Sequence, residues 1–317
     1  MAIIPSVAGP LDTADLGFTL IHEHLRVRSE TVAAQWPHLY DEAHELELAI
    51  AQVQRAQQRG VHTIADPTVM GMGRDVHLMQ AVVRATGVQL IAATGLYTYT
   101  ELPPYFANRP VEALADAFVH DIEQGIQGTT VRAAFLKCAT DEPGVTRDVE
   151  KVLRAVAQAH RRTGAPIMTH SHAASGMGMR QQEIFASEGV DLSRVLIGHS
   201  GDTDDLDYLV RLADQGSFLG MDRYGLERYL PTERRNATVV ELCQRGYADR
   251  LFLSQDACGT LDWFKPTATA RAAPKWSMTY IADEVIPALR QAGVTSEQIE
   301  TMTVANSRRY FERQGAY

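Results

Sequence analysis

The chain has few cysteines, a deficit of basic residues and no long apolar run. Its 3 Cys in 317 residues (Cys138, Cys243 and Cys258) are widely spaced and form neither a zinc-type pair nor a disulfide framework, which favours a reducing, cytoplasmic setting. With 30 Lys and Arg against 39 Asp and Glu, the net charge of −9 leaves no basic surface for nucleic acid. No stretch approaches the ~20 apolar residues that span a bilayer, and no signal-peptide pattern opens the sequence. Nucleic-acid and membrane partners are therefore not expected.

The composition is that of a globular protein, and its dominant pattern is an alternation of short apolar segments with longer amphipathic ones. Hydrophobic residues make up 45% of the chain and charged residues 22%. The short segments are rich in β-branched and aliphatic residues, as strands are. The eight predicted strands are Phe18–His24, Val61–Pro67, Leu90–Tyr97, Ala133–Ala139, Pro166–His172, Val195–Gly201, Ser217–Tyr224 and Leu251–Ala257.

Helical periodicity fills the intervals between these strands. Apolar residues share one face of His44–Gln58, and Arg147–Arg162, Thr232–Arg245 and a closing segment Ser296–Gln314 read similarly. Eight strands that alternate with about eight helices predict one parallel (β/α)8 barrel over residues 1–317. A doubly wound sheet is the structural alternative, but the near-constant spacing favours closure.

Polar side chains stand at the ends of five of the apolar strands. A buried His, Lys or Asp is costly unless it is paired or metal-bound, and the C-terminal ends of barrel strands build the active site. Side chains alternate along a strand. The intervals from Lys137 to His170 and from His170 to His199 each correspond to one strand–helix unit, and the interval from His199 to Asp256 corresponds to two. The residues that this pattern brings to one mouth are His22, His24, Lys137, His170, His199 and Asp256.

The same alternation gives Glu23 a different place. It lies between the two histidines of the first strand and is expected on the opposite face. We therefore expect Glu23 to point toward the helical layer and to pair with a cation there.

Four imidazoles and a carboxylate are a suitable ligand set for Zn²⁺, Co²⁺, Mn²⁺ or Fe²⁺. Lys137 is the odd member, because a free ammonium has no lone pair and is repelled by cations. Carboxylation by CO₂ would turn it into an anionic carbamate with two oxygens, suited to bridging two ions. A Schiff-base lysine, which barrels also support, is the alternative.

Several motifs carry a resemblance to a known family. The runs GFTLIHEHL, THSH, IGHSGD and LSQDA, with the lone Lys137 on the fourth strand, resemble the phosphotriesterase-like branch of the amidohydrolase superfamily. The segments ATGLYTY (Ala93–Tyr99), GMDRYG (Gly220–Gly225) and DAC (Asp256–Cys258) are similar to the phosphotriesterase-like lactonases. The resemblance covers nearly the whole chain and implies a TIM barrel with a binuclear metal centre at the C-terminal ends of its strands.

The resemblance also implies how two divalent metal ions (Zn, Co, Fe or Mn) are held. One hydroxide bridges both ions and acts as the nucleophile, and one metal polarises the substrate oxygen. The implied ligands are His22, His24 and Asp256 for the more buried ion, His170 and His199 for the more exposed ion, and N6-carboxylated Lys137 for both.

Further residues acquire roles through the same resemblance. Asp256 is the expected proton acceptor, Tyr97 lies near the hydroxide and the ring oxygen of a lactone, and Arg223 lies at the head-group end of the pocket. Cys258 and Trp263, in the long segment after Asp256, are the expected contacts of an acyl tail.

The resemblance leads to an interpretation of function with alternatives. The leading interpretation is a metal-dependent lactonase of the quorum-quenching type, which hydrolyses N-acyl-homoserine lactones and has a weak phosphotriesterase side activity. The alternatives are a phosphotriesterase or aryl esterase as the main activity, and a non-catalytic metal-binding receptor. Family members commonly form homodimers, so the resemblance also implies a homodimer.

Overall fold

Eight parallel strands form a nearly closed barrel in the computed structural model, which describes residues 2–312 and 315–317. Each strand pairs with the next one along the chain, and helices lie between them, so the fold is a (β/α)8 TIM barrel. All eight predicted strands are present, each of them shorter than predicted, and the doubly wound sheet is wrong. The barrel strands are β3 (Thr19–Leu20), β4 (Thr63–Asp66), β5 (Gln89–Gly95), β6 (Phe135–Ala139), β7 (Ile167–His170), β8 (Val195–Ile197), β9 (Phe218–Met221) and β10 (Leu251–Leu253).

An antiparallel hairpin of β1 (Ile3–Ser6) and β2 (Gly9–Asp12) precedes the barrel and is absent from the sequence-based prediction. Each of its strands has four residues and contains a proline, which weakens the strand signal. Ile4 packs with Tyr310 and Phe311 in the cluster that fills the barrel interior. The ring of Phe311 lies 6.0 Å from that of Phe135, at the start of β6, so these segments close the N-terminal end of the barrel.

The helices surround the barrel much as their periodicity predicts. The predicted helices at His44, Arg147 and Thr232 each lie within two residues of the observed bounds. The closing helix runs on from Ser296 through a π-helical stretch, Thr301–Ala305, and its predicted last residues, Arg313 and Gln314, lie outside the described residues. No helix in the described part of the chain has both the length and the apolar character that crossing a bilayer requires. The α-helices are Glu30–Gln35, Glu42–Gln57, Val76–Thr86, Pro104–Ala107, Val111–Glu123, Arg147–Thr163, Met177–Ser187, Leu206–Asp214, Thr232–Gln244, Pro266–Ala272, Ile286–Gln291, Ser296–Glu300 and Asn306–Glu312, and a second π-helical stretch is Ile281–Val285.

One buried histidine of this layer makes the fold sensitive to acid. His160 lies 2.7 Å from the Ala165 carbonyl and 2.6 Å from the Tyr317 hydroxyl, and burial lowers its pKa to about 4. The folded chain therefore binds this proton less readily than an unfolded chain, whose histidines titrate near ~6.5. We expect the free energy of unfolding to fall by about 2 kcal/mol between pH 7 and pH 5 through this residue. Urea unfolding at both pH values should show a smaller fall for His160→Gln, and equal falls would contradict the assignment.

Candidate metal centre

The six residues predicted at the mouth come together at the C-terminal end of the barrel. The loop after β3 supplies two of them, β6 and β7 one each, and the loops after β8 and β10 one each. All six are largely buried, and the most exposed side chain among them, Asp256, is 16% exposed. The six are His22, His24, Lys137, His170, His199 and Asp256.

The Asp256 carboxylate lies among the imidazoles. Its Oδ1 is 3.3 Å from His22 Nε2 and 3.2 Å from His24 Nε2, and its Oδ2 is 3.9 Å from His199 Nε2. Ligand atoms of His22, His199 and Asp256 all lie within 4.8 Å of one another. Imidazole nitrogens and a carboxylate oxygen grouped in this way suit a divalent transition metal.

Asp222 fixes the orientation of two of these rings and is absent from the sequence-based prediction. Its Oδ2 lies 2.8 Å from His22 Nδ1, and its Oδ1 lies 2.9 Å from His199 Nδ1. Burial alone would raise the pKa of Asp222, but His22, Lys137 and Arg223 hold it below its usual value. The ionised carboxylate only accepts hydrogen bonds, so both rings donate through Nδ1 and direct the Nε2 lone pair into the mouth.

A second carboxylate, that of Asp141, fixes the orientation of the His170 ring. His170 Nε2 lies 3.0 Å from Asp141 Oδ2. Burial opposes ionisation, but the hydrogen bond from His170 lowers the pKa of Asp141 to about 2. Since the ring donates through Nε2, its Nδ1 carries the lone pair, and this atom lies 2.9 Å from His199 Nε2.

These contacts place electron pairs against electron pairs, and a cation between them would relieve the conflict. Burial lowers the pKa of His170 to about 4 and that of His199 well below its usual value, so both rings are neutral at pH 7. His22 likewise presents its Nε2 lone pair to the Asp256 carboxylate. The donor set therefore fits divalent metal ions by its chemistry.

Lys137 is buried beside the imidazoles. Its Nζ lies 3.1 Å from His22 Nε2 and 3.5 Å from the Thr169 carbonyl, which are both uncharged acceptors. Burial lowers the pKa of the Lys137 amine to about 8. The neutral amine, the form that reacts with CO₂, is therefore more accessible here than on a solvated lysine.

Two of the six residues have backbone conformations that L-residues seldom adopt. His199 has φ 61° and Asp256 has φ 55°, both in the left-handed region. Such strain persists where the surroundings enforce it, and it is concentrated at functional sites.

Arg223 connects two carboxylates at one side of the mouth. Its Nε donates to Asp256 Oδ2 at 3.2 Å and its Nη1 donates to Asp202 Oδ2 at 2.9 Å. Burial opposes ionisation of Asp256, but His22, His199, His24 and Arg223 together hold its pKa well below its usual value. Asp256 is therefore a carboxylate at neutral pH.

Tyr97 lies on the other side of the mouth. Its hydroxyl is 3.0 Å from His170 Nδ1 and also contacts the Tyr99 hydroxyl. Burial and the neighbouring Tyr99 raise the pKa of Tyr97 well above its usual value, so the phenol keeps its proton. It can therefore act as a hydrogen-bond donor toward the mouth.

A cavity of about 430 Å³ opens above the six residues. The loop after β10 forms one wall and includes Cys258 and Trp263, whose ring lies 5.9 Å from that of Tyr97. At the far end of this loop, Trp276 Nε1 donates to the Gln255 carbonyl at 2.7 Å. The other apolar residues that line the cavity include Val27, Met72, Leu226, Leu261, Phe264, Ala268, Ala272 and Ala273.

The expectation for Glu23 is wrong. Its carboxylate is fully buried and accepts hydrogen bonds from Ser254 Oγ at 2.8 Å and from the backbone amides of Gln255 at 2.8 Å and Ala257 at 2.7 Å. The alternation argument fails because the regular strand β3 ends at Leu20, three residues earlier.

Comparison with known proteins assigns this barrel to a family. A model described as the phosphotriesterase family matches residues 3–311. The chain belongs to the phosphotriesterase family. An aryldialkylphosphatase from Saccharolobus solfataricus is 52% identical over 303 residues, covering 95% of this chain and 96% of that protein. A phosphotriesterase homology protein from Mycobacterium tuberculosis is 49% identical over 326 residues, covering 100% of both chains.

A solved structure of a phosphotriesterase from Mycobacterium tuberculosis matches the fold with a TM-score of 0.98 at 49% identity, covering 100% of both chains. The predicted family and the predicted TIM barrel are thereby confirmed. As a member of the phosphotriesterase family, the protein is a hydrolase of a family with binuclear metal centres.

Proposed function

We propose that this phosphotriesterase-family protein is a lactonase that hydrolyses N-acyl-homoserine lactones and related aliphatic lactones. The observation that carries the proposal is the cavity, whose base is the polar cluster and whose walls are mostly apolar. A lactone head group fits the base, and an aliphatic acyl tail fits walls that include Leu226, Trp263 and Phe264. Burial of each tail methylene contributes about 0.8 kcal/mol.

Two divalent ions of zinc, cobalt, iron or manganese complete the site in this proposal. His22, His24 and Asp256 would hold the more buried ion, His170 and His199 the more exposed one, and N6-carboxylated Lys137 would serve both. When bound, such ions lower the pKa of water and polarise a carbonyl or phosphoryl oxygen. The lone-pair contacts of the imidazoles and the two uncharged acceptors beside Lys137 Nζ support this assignment.

Asp256 moves the proton in this reaction. Its carboxylate is ionised at neutral pH and is held by Arg223 on one side. It can accept the proton that the attacking water loses and transfer it to the alkoxide that leaves when the ring opens.

Tyr97 and Arg223 orient the substrate in this proposal. The protonated phenol of Tyr97 donates to the lactone ring oxygen from one side of the mouth. Arg223, fixed between Asp202 and Asp256, faces the cavity from the opposite side and positions the head group. Cys258 and Trp263 contact the start of the acyl tail.

A phosphotriesterase is the second candidate. The observation that favours it is the 52% identity to a protein named aryldialkylphosphatase. The same centre would stabilise the pentacoordinate phosphorus of a triester, so we propose weak phosphotriesterase activity even in a lactonase.

The ratio of two specificity constants separates the candidates. One cobalt-loaded preparation is assayed for kcat/KM on a medium-chain acyl-homoserine lactone and on an aryl dialkyl phosphate triester. We expect a ratio well above one, because the apolar walls match an acyl tail. A ratio below one would favour the triester and contradict the substrate-orienting and tail-binding roles of Tyr97, Arg223 and Trp263, and hydrolysis of neither substrate would contradict both candidates.

A further inference from the structure

The barrel closes at a seam between its first and last strands. β3 has two residues and β10 has three, and among the described residues no ladder of strand hydrogen bonds joins them. The chain segments that follow them meet instead: Asp256 N donates to the His22 carbonyl at 3.0 Å, and His24 N donates to the Ala257 carbonyl at 2.8 Å. The seam therefore runs directly between two histidines and the aspartate of the metal centre.

Glu23 lies inside this seam and holds both sides of Asp256. One carboxylate oxygen accepts the Gln255 amide and the other accepts the Ala257 amide, so the two residues that flank Asp256 are bound by one side chain. The first oxygen also accepts from Ser254 Oγ, which in turn accepts from the His22 amide at 3.1 Å. One carboxylate thus ties the chain around the histidines to the chain around the aspartate.

Burial of the Glu23 carboxylate costs free energy, which its hydrogen bonds must offset. A carboxylate with no exposed surface carries a large desolvation cost, and no Lys, Arg or His among the described residues forms an ion pair with Glu23. The segment that it holds contains the left-handed backbone of Asp256, a conformation that persists only where its surroundings enforce it. The three hydrogen bonds supply that enforcement.

We infer that Glu23 is a positioning residue that sets Asp256 against His22 and His24 by clamping the β3–β10 seam. Because Asp256 would hold the more buried ion with these two histidines, the inference rests on the metal assignment of the proposed function. Loss of the clamp should weaken the binding of that ion. His170 and His199, across the mouth, keep their own contacts to Asp141 and Asp222.

The test uses the full-length protein after chelation, titrated with Co²⁺ and followed by its visible absorption. Glu23→Gln keeps the shape but places an amide NH₂ against a backbone N–H, so we expect the Kd of the tighter Co²⁺ equivalent to rise about 10- to 100-fold and the Co²⁺ spectrum to change. Ser254→Ala keeps both backbone bonds and should give a smaller rise in Kd. If Glu23→Gln does not fold, Ser254→Ala carries the test.

Gln182→Met is the matched control for the loss of buried hydrogen bonds. Gln182 is fully buried and donates to the Leu212 carbonyl at 2.9 Å and to Ser217 Oγ at 2.8 Å, away from the seam. This variant should lower the midpoint of thermal unfolding without changing the Kd or the spectrum. Unchanged Co²⁺ binding in the seam variants, or an equal loss in Gln182→Met, would overturn the clamp.

Amide hydrogen exchange of the apoprotein separates this inference from the metal assignment. If the wild type binds no Co²⁺, the metal assignment fails and the clamp is judged on exchange alone. Exchange across residues 254–258 that is faster in Glu23→Gln than in Gln182→Met would support the clamp, and equal exchange would overturn it.

Discussion

Replacement of Lys137 by alanine should lower kcat/KM by about 10³-fold or more, with the loss mainly in kcat. In the proposed site this side chain is the one ligand that serves both ions, and the electrostatic stabilisation that a metal centre provides amounts to several kcal/mol. The variant also leaves a cavity in the buried region beside His22, so its metal content must be measured with its activity. Unchanged turnover at full metal occupancy would refute the mechanism.

Cys138→Ala is the control for this experiment. Cys138 is the next residue on β6 and packs, fully buried, in the cluster that contains residues of the surrounding helices. The control should lose some stability and keep its activity. Wild type and Cys138→Ala equilibrated with carbon-13-labelled bicarbonate should each show a carbamate signal in the NMR spectrum, and Lys137→Ala should lack it. A wild type without that signal would contradict the carboxylated lysine.

Asp256→Asn should lower kcat/KM by about 10²- to 10⁴-fold, the range that a positioned general acid–base group contributes. The amide keeps the shape of the carboxylate and one oxygen, but it accepts no proton from water at neutral pH. Arg223 also loses its charged partner on this side. Metal content is determined with the rate, so that lost proton transfer is distinguished from lost metal.

Asp121→Asn is a close match for this substitution. Asp121 has the same 16% side-chain exposure as Asp256 and also pairs with an arginine, Arg74, at 2.8 Å, but it does not line the cavity. It should retain wild-type kcat/KM. An Asp256→Asn protein that is fully metal-loaded and as active as Asp121→Asn would show that Asp256 is not the proton acceptor.

The sequence was sufficient for the barrel because its strands are buried on both faces and each leads into a helix. Their aliphatic runs and the regular spacing give eight strands and their order, and the polar residues at the strand ends then fall at one mouth. The same signals do not predict the N-terminal hairpin, because Pro5 and Pro10 pair within it and proline usually weakens a strand assignment.

The site was predicted less completely, since alternation holds only while a strand is regular. His199 and Asp256 lie at the mouth as predicted, but no pattern of residue types encodes the left-handed backbone conformations that bring them there. The expectation for Glu23 fails because this residue follows an irregular segment. Asp222 is different, because it lies four residues after Phe218, an interior residue of β9, and strand alternation therefore places it on the interior face at the mouth. This alternation is a signal that predicts Asp222 at the site, although the motif resemblance at this strand end points only to Arg223 beside it.

The loop after β10 has a consequence for how the substrate range of this enzyme can change. Its first residues are fastened to the chain after β3, because Gly259 N donates to the His24 carbonyl and Asp262 N to the Val27 carbonyl. Its far end is fastened by the hydrogen bond from Trp276 to the Gln255 carbonyl, so the segment between Asp262 and Trp276 is a closed excursion from the barrel. Doubling the length of such a loop costs only about 0.6 kcal/mol in closure entropy. Asp256 stands at the fixed base, while Trp263 and Phe264 lie on the excursion. Insertions, deletions or grafts in this segment should therefore change the substrates that the cavity accepts while the positions of the metal-binding and proton-accepting residues below it stay the same.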